Sequence, residues 1–479
     1  MLFIQEIQRK KLIALLVLAS LVLFPWTISA QEKVVSSSKD NVIFSYSPLV
    51  KNAAPAVVNI YTSKRVQVRS SPLLADPFFG QFFGGNSLFN QGLGVTREKV
   101  VNSLGSGVVI DPDGLIITNF HVAGEDTDIQ VVLSDKREFK AEPVLIDKRS
   151  DLALLKVETH GEKLPYLQIN DSDNLEVGDI VLAIGNPFGV GQTVTSGIVS
   201  ALARTTVGVS DFEFFIQTDA SINPGNSGGA LVDMNGKMVG INTAIYTKTG
   251  TSNGIGFATP SIMVKVLLNN YRQGSNKVLR PWLGASTQNL TQDLAGAAGL
   301  KIPSGVLIRG VYPGSAAEKA GLKTGDIIMK IDDYDVSDEQ SLKFRVATYA
   351  IGSEAEFTIL RYGREKDLIV KMEAPGEYPP RETTLVSGDN PLSGATIVNI
   401  SPVVADEMGI NDYKGVIVTK IEKGSVAARF MAAGDIVIGI NGVEPKSAKH
   451  LMKLLDAVTR GWKVQLRRGD KFINIDVRI

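Results

Sequence analysis

Residues Asp219 to Ala230 read DASINPGNSGGA, a serine set among glycines in a tight turn. Glycine adopts backbone angles closed to other residues and lets another chain approach closely. Ser227 can therefore present its hydroxyl at a turn whose backbone N–H groups face the same point. A nucleophile beside an oxyanion hole needs that arrangement. Taken alone, Pro-Gly-Asn-Ser-Gly-Gly reads first as an ordinary surface turn, so the rest of the chain must supply the base and the acid.

Serine is a weak nucleophile unless an imidazole takes its proton, and the imidazole needs a carboxylate to set its tautomer. The chain has three histidines. His121 follows the apolar run Leu115 to Thr118, where a strand end makes a fixed platform. His160 sits in the polar loop Glu158 to Glu162. His450 lies in an expected helix beside Lys449 and Lys453. His121 is the base by elimination. Of the aspartates between His121 and Ser227, Asp171, Asp173 and Asp179 fall in turns. Asp151 precedes Leu152-Ala153-Leu154-Leu155, so it begins a buried strand and is shielded from water. Asp147 suits a cap or turn better, and Asp219, close to Ser227 in sequence, is the second choice.

Gly225-Asn226-Ser227-Gly228-Gly229 also satisfies G-x-S-x-G, the nucleophile elbow of α/β-hydrolases. An elbow leads into a helix and has its histidine downstream. Here a hairpin with an Asn235-Gly236 turn follows, and the one downstream histidine belongs to another domain. The order His, Asp, Ser is that of chymotrypsin-like barrels.

The elements around these residues suit that reading. From Val57 short apolar runs alternate with Gly, Asn and Pro turns: Gly105 to Ile110, Leu115 to Thr118, Ile129 to Leu133, Glu142 to Ile146, Leu152 to Val157, Ile180 to Ile184, Thr193 to Leu202, Gly229 to Val232, Met238 to Ile245 and Gly254 to Ala258. Close spacing of such strands indicates barrels or sandwiches, and some 220 residues accommodate a pair of barrels. A helix to about Tyr271 closes the unit, giving a protease-sized domain over 31–275. Residues 63–102 form a long insertion with Phe78, Phe79, Phe82 and Phe83, expected to dock on a neighbouring subunit or the chain's own site, or to cluster locally.

Past Arg280 the chain repeats itself. Ser304-Gly305-Val306-Leu307-Ile308 matches Lys414-Gly415-Val416-Ile417-Val418, and Gly314-Ser315-Ala316-Ala317 matches Gly424-Ser425-Val426-Ala427. Two tandem homologous domains result, over 280–374 and 386–479, joined by a Pro-rich linker at 375–385. The whole is mainly β.

At 479 residues the chain has room for roughly three domains. Its 50 basic and 50 acidic side chains balance, with no basic patch of the kind nucleic acid requires. Cysteine is absent, which removes thiol nucleophiles and thiolate metal sites. No phosphate loop or metal-ligand cluster occurs, so no cofactor is expected. Arg9, Lys10 and Lys11 before the apolar run Leu12 to Phe24, with Ser29-Ala30 after it, read as a secretory signal over 1–30. That run is short for a membrane anchor.

Three stretches carry a resemblance: Thr118-Asn119-Phe120-His121-Val122, Ser150 to Lys156, and Gly225 to Leu231. Together with the repeats, which resemble PDZ domains, the chain resembles the HtrA (Deg/Do) serine proteases over nearly everything after residue 45. The resemblance implies an oxyanion hole from the N–H groups of Gly225 and Ser227, with Asn226 between them. It implies a primary pocket at Ile222, Ile245 and Tyr246, hence cleavage after small aliphatic residues; Tyr246 departs from the usual aliphatic side chain. Leu283-Gly284-Ala285 and Ser393-Gly394-Ala395 correspond to the carboxylate-binding loops of the PDZ domains, where an extended peptide adds a strand. Ser393 stands where an apolar residue is usual. The resemblance further implies an ATP-independent, periplasmic endoprotease of unfolded exported proteins, with chaperone activity, built from trimers that can form larger cages.

Overall fold

A computed structural model describes residues 45–68, 97–125, 127–186, 191–204, 214–223, 225–245, 254–410, 414–457, 461–469 and 471–477. The expected signal over 1–30 and the four phenylalanines of the insertion lie outside them.

The first barrel closes in the order β1-β2-β3-β6-β5-β4, and the second in the order β10-β11-β12-β9-β8-β7. The first uses β1 (Val57–Val68), β2 (Arg97–Asp111), β3 (Leu115–Asn119), β4 (Asp128–Val132), β5 (Glu138–Asp147) and β6 (Leu152–Val157). The second uses β7 (Ile180–Gly185), β8 (Thr193–Arg204), β9 (Phe215–Thr218), β10 (Ala230–Val232), β11 (Met238–Ile245) and β12 (Gly256–Pro260). Strand β9 has no counterpart among the sequence-derived strands, because four residues give periodicity little to register. The insertion is also shorter than its composition indicates. Its two ends continue the ladder, with Val68 opposite Arg97, so β1 and β2 form a long arm.

Burial explains where β3 and β6 sit. Ile116, Ile117, Leu152, Leu154 and Leu155 are all fully buried, each such side chain contributing about 1.5–3 kcal/mol on leaving water. Every residue of β3 is buried, as are all but one of β6. These two strands are the rigid centre of the first barrel, and both end at the site.

The helix Ser261–Arg272 closes the double barrel. The first C-terminal domain has strands β13 (Ala285–Asn289), β14 (Val306–Val311), β15 (Ile327–Ile331), β16 (Tyr334–Asp335), β17 (Glu354–Arg361) and β18 (Arg364–Lys371). The second has β19 (Thr384–Leu385), β20 (Ala395–Asn399), β21 (Val416–Ile421), β22 (Ile436–Ile440), β23 (Trp462–Arg468) and β24 (Lys471–Val477). The first has one buried cluster spanning its sheet and longer helix, and the second has two, one against the helix Ala448–Asp456 and one under the helix Pro402–Met408. The expected linker at 375–385 is not a free spacer. Its last residues, Thr384 and Leu385, form β19 and pair with β20.

The first C-terminal domain is docked on the barrels through its helix Glu339–Thr348. The Phe344 ring stacks on Phe214 at 3.9 Å between centroids and 13° between planes. Beside it Arg345 donates to both Asp173 oxygens, at 2.6 and 3.3 Å. An apolar contact shielding a bidentate ion pair is the kind of junction that fixes orientation as well as adding energy.

Candidate active site

Antiparallel register brings the first two residues together. Asn119, the last residue of β3, is opposite Leu152, the first of β6. His121 lies two residues beyond one strand end, and Asp151 lies one residue before the other. The chain turns helical at Phe120–Ala123, swinging His121 back over Asp151. The imidazole Nδ1 is 2.6 Å from Asp151 Oδ2, and the His121 N–H donates to Asp151 Oδ1 at 3.0 Å. One carboxylate thus holds both ring and backbone of the histidine, which fixes the tautomer with Nδ1 protonated and leaves Nε2 as the acceptor.

Asp151 is itself held. Its φ is +54°, in the left-handed region that aspartate tolerates better than most residues. Its carbonyl accepts from the Phe120 N–H at 3.1 Å and from Asn119 Nδ2 at 2.9 Å. The same Asn119 Nδ2 donates to Thr243 Oγ1 at 3.0 Å, across to β11 of the second barrel.

Ser227 lies in the loop between β9 and β10 of the second barrel. Its carbonyl accepts from the Ser106 N–H of β2 at 2.8 Å, so the loop is strapped to the first barrel. Its hydroxyl donates to the Thr243 carbonyl at 3.2 Å. Thr243 therefore joins the two halves: its hydroxyl accepts from Asn119 and its carbonyl holds the serine. Asn119 and Thr243 thus connect the strand end that carries His121 to the residue that holds Ser227.

The turn around Ser227 is fixed peptide by peptide. The Gly225 carbonyl accepts from Ser106 Oγ at 2.6 Å, and that oxygen in turn accepts from the Asn186 N–H at 2.9 Å. The Asn226 N–H donates to Asn223 O, and the Gly229 N–H to Asn226 O, both at 2.9 Å. This leaves the N–H groups of Gly225 and Ser227 without a protein acceptor among the described residues. Gly225 and Gly228 have φ of +99° and +83°, angles that L side chains avoid. The Asn226 side chain is buried and neither of its polar atoms has a partner. An unsatisfied group of that kind costs about 1–3 kcal/mol.

Other candidates are placed elsewhere. Asp219 Oδ1 accepts from the Ile198 N–H at 2.7 Å at an exposed position, with no bond to His121. His160 is exposed, near Glu158. His450 Nδ1 accepts from the Lys446 N–H, in the second C-terminal domain. Ile222 is buried in the core of the second barrel and faces Gly256. Ile245 ends β11 opposite Gly256, and Tyr246 lies outside the described residues. Leu283 is buried, Gly284 has φ +75°, and Ala285 begins β13.

Residue types alone did not point to Thr243, Asn119, Ser106 or Arg280. Arg280 is buried and its two guanidinium Nη atoms donate to Asp147, one at 3.3 Å and one in a very short contact with Oδ2. Asp147 also accepts from Ser150 Oγ and from the Arg149 N–H. It thus shapes the turn that delivers Asp151. Replacing Arg280 with alanine strands the buried Asp147 charge and is expected to cost about 3–5 kcal/mol. Denaturant unfolding checks this, with Arg280→Lys recovering only part of the loss because lysine lacks the planar fork.

Two closed six-stranded barrels define the class, with an imidazole–carboxylate pair on one and a glycine-set serine on the other: a chymotrypsin-like serine endopeptidase. Comparison with known proteins agrees. Residues 105–241 match the trypsin-like peptidase domain and residues 281–372 the PDZ domain. The chain is 36% identical to the periplasmic serine endoprotease DegP of Salmonella typhimurium, over 96% of this chain and 97% of that protein. It is 35% identical to the periplasmic pH-dependent serine endoprotease DegQ of Escherichia coli, over 94% and 96%. Among solved structures, the HtrA-type protease AlgW with a decapeptide aligns at 41% identity with a TM-score of 0.51, over 70% of this chain and all of that one. The chain belongs to the HtrA (Deg/Do) family of serine endoproteases, similar over most of its length to DegP and DegQ.

Proposed function

We propose that Ser227 is the nucleophile, His121 the general base and Asp151 the group that orients His121, with the Gly225 and Ser227 N–H groups as the oxyanion hole around Asn226. The observation that carries this is the short Asp151–His121 pair, joined through Asn119 to Thr243, whose carbonyl holds the Ser227 hydroxyl. Ser227 rotates from the Thr243 carbonyl to His121 Nε2 and attacks the peptide carbonyl. His121 takes the proton and returns it to the leaving amine. The imidazolium is stabilised by Asp151, and the oxyanion by two N–H groups that other protein groups leave open.

The substrates we infer are unfolded or mislocalised exported polypeptides, cleaved after small aliphatic residues by a pocket of Ile222, Ile245 and Tyr246. Family membership supports a periplasmic setting after export by the signal over 1–30, and an assembly of trimers that can form larger cages. The domain limits we propose are 31–275 for the protease and 280–374 and 386–479 for two PDZ domains, with a regulatory loop within 63–102 whose ends are the paired arm of β1 and β2. The Leu283-Gly284-Ala285 loop would receive peptide C-termini. A chaperone role alongside proteolysis is favoured by the outer edge of β13, which is unpaired among the described residues and can hold an extended client.

A fluorophosphonate is expected to add one label per chain, on Ser227, and to stop casein cleavage; a label on another residue with activity lost would sink the assignment. Asp151→Asn is expected to lower kcat by about 10⁴-fold, the size a wrong histidine tautomer carries in such a triad, with KM little changed. Steady-state kinetics on a labelled peptide separates the two constants.

A further inference from the structure

The two C-terminal domains share one loop geometry and differ at the strand beside it. In the first, Gly284 O accepts from the Tyr312 N–H at 2.9 Å and Leu283 O from the Ala317 N–H at 2.8 Å. In the second, Gly394 O accepts from the Glu422 N–H at 2.9 Å and Ser393 O from the Ala427 N–H at 3.1 Å. Gly284 and Gly394 have φ of +75° and +87°. A Cβ added to either would collide with a serine, Ser315 or Ser425. The loops correspond bond for bond.

Their outer faces do not. Strand β13 is the edge of its sheet, paired with β14 only, and the Leu283 and Gly284 N–H groups have no protein acceptor among the described residues. Strand β20 is covered on that side by residues 381–386. Thr384 lies opposite Ile397 and Leu385 opposite Thr396. The Asn399 N–H donates to Arg381 O and the Val386 N–H to Ala395 O, both at 2.8 Å. The Gly394 N–H donates to Val386 O at 2.9 Å. The neighbouring N–H groups are taken too, Ser393 by Asn390 O at 3.2 Å and Leu392 by Asn390 Oδ1 at 3.0 Å.

The direction of this segment is that of a bound peptide. It runs antiparallel to β20 with its later residues toward the loop, so the Val386 carbonyl meets the N–H that a terminal carboxylate would seek. The Val386 side chain is 1% exposed. It lies in one buried cluster with Ala395, Ile397 and, from the helix Ala448–Asp456, Leu451 and Leu455. We propose that Arg381–Val386 is the resident ligand of the second C-terminal domain. Its peptide site is a self-filled copy of the first, and it takes an outside peptide with a free carboxylate and a small apolar last residue only by displacing this segment. The inference rests on reading Leu283–Ala285 as a carboxylate receptor.

Amide hydrogen exchange on the full-length protein, with and without a decapeptide ending in a free valine carboxylate, tests both ideas separately. Without peptide, Gly394 is expected to exchange at least about 100-fold more slowly than Gly284, as a strand-bonded amide does against an open one. Saturating peptide is expected to protect Gly284, leave Gly394 unchanged and bind once per chain. Equal exchange of the two glycines without peptide, or a second peptide bound beside Gly394 while the Val386 amide stays protected, would overturn the proposal. Protection of Gly394 with no peptide effect at Gly284 would defeat the reading of the first loop and uphold the occupancy of the second.

Discussion

Ser227→Ala is expected to lower cleavage of unfolded casein by about 10⁶-fold, the scale of losing the nucleophile in a triad that acts as a unit. The protein should stay folded. The backbone bond that straps the loop, Ser106 N–H to Ser227 O at 2.8 Å, does not involve the side chain. Only the 3.2 Å bond from the hydroxyl to Thr243 O is lost, worth about 1 kcal/mol. Initial rates on casein and a thermal unfolding scan, run side by side, check the two halves. Because the three groups work together, adding Asp151→Asn to Ser227→Ala should cost nothing further in rate. Cleavage that persists in a pure preparation, or a collapse of the folded state, would remove Ser227 from the role proposed here. The same variant tests the chaperone reading: it should still suppress aggregation of a denatured client.

Gly228→Ala is expected to be among the most destabilising single changes in the protease domain. The position has φ +83°, where a non-glycine residue is strained by about 1–3 kcal/mol. Overlap adds to this. A Cβ here would run into the Ser106 carbonyl oxygen and the Thr118 hydroxyl. Those two groups bond each other at 2.7 Å on neighbouring strands β2 and β3, so neither has an open side to move to. The Gly228 N–H also donates to Asn242 O at 2.8 Å, which pins the loop to β11. We expect a loss beyond about 4 kcal/mol, the range reserved for steric or network failures of this kind. At about 2–4 °C per kcal/mol for a domain of this size, Tm should fall by roughly 10 °C or more. A loss below about 1 kcal/mol in denaturant unfolding would falsify the steric account. Any folded fraction should also be inactive, since relief of the clash shifts Ser227 away from His121.

The second C-terminal domain shows how far similar sequences can differ in their surroundings. Ser393-Gly394-Ala395 and Leu283-Gly284-Ala285 build the same loop, yet one lies beside an open strand edge and the other beside the chain's own segment. The substitution of serine for an apolar residue flagged a difference without its cause. The cause is the strand pairing of 381–386, and pairing partners are not legible in a local pattern.

By itself the sequence determined the chemistry on offer. Glycines around Ser227, one histidine at a strand end and an aspartate opening an apolar run are local facts, and each names its own element. Hydrophobic runs of four to ten residues between turn signals were enough to indicate barrels. The internal repeat was visible as matched motifs at a constant offset. Tertiary structure decided which groups meet. The register Asn119 opposite Leu152 brings Asp151 to His121, and no spacing in the chain encodes a register. Thr243 bridges the barrels through Asn119 and Ser227, across more than a hundred residues. Arg280 and Asp147 pair 133 positions apart, where the sequence around Asp147 suggested a cap or turn. Those contacts arise from closing two sheets against each other, and closure depends on the whole packed set of strands rather than on any stretch of them.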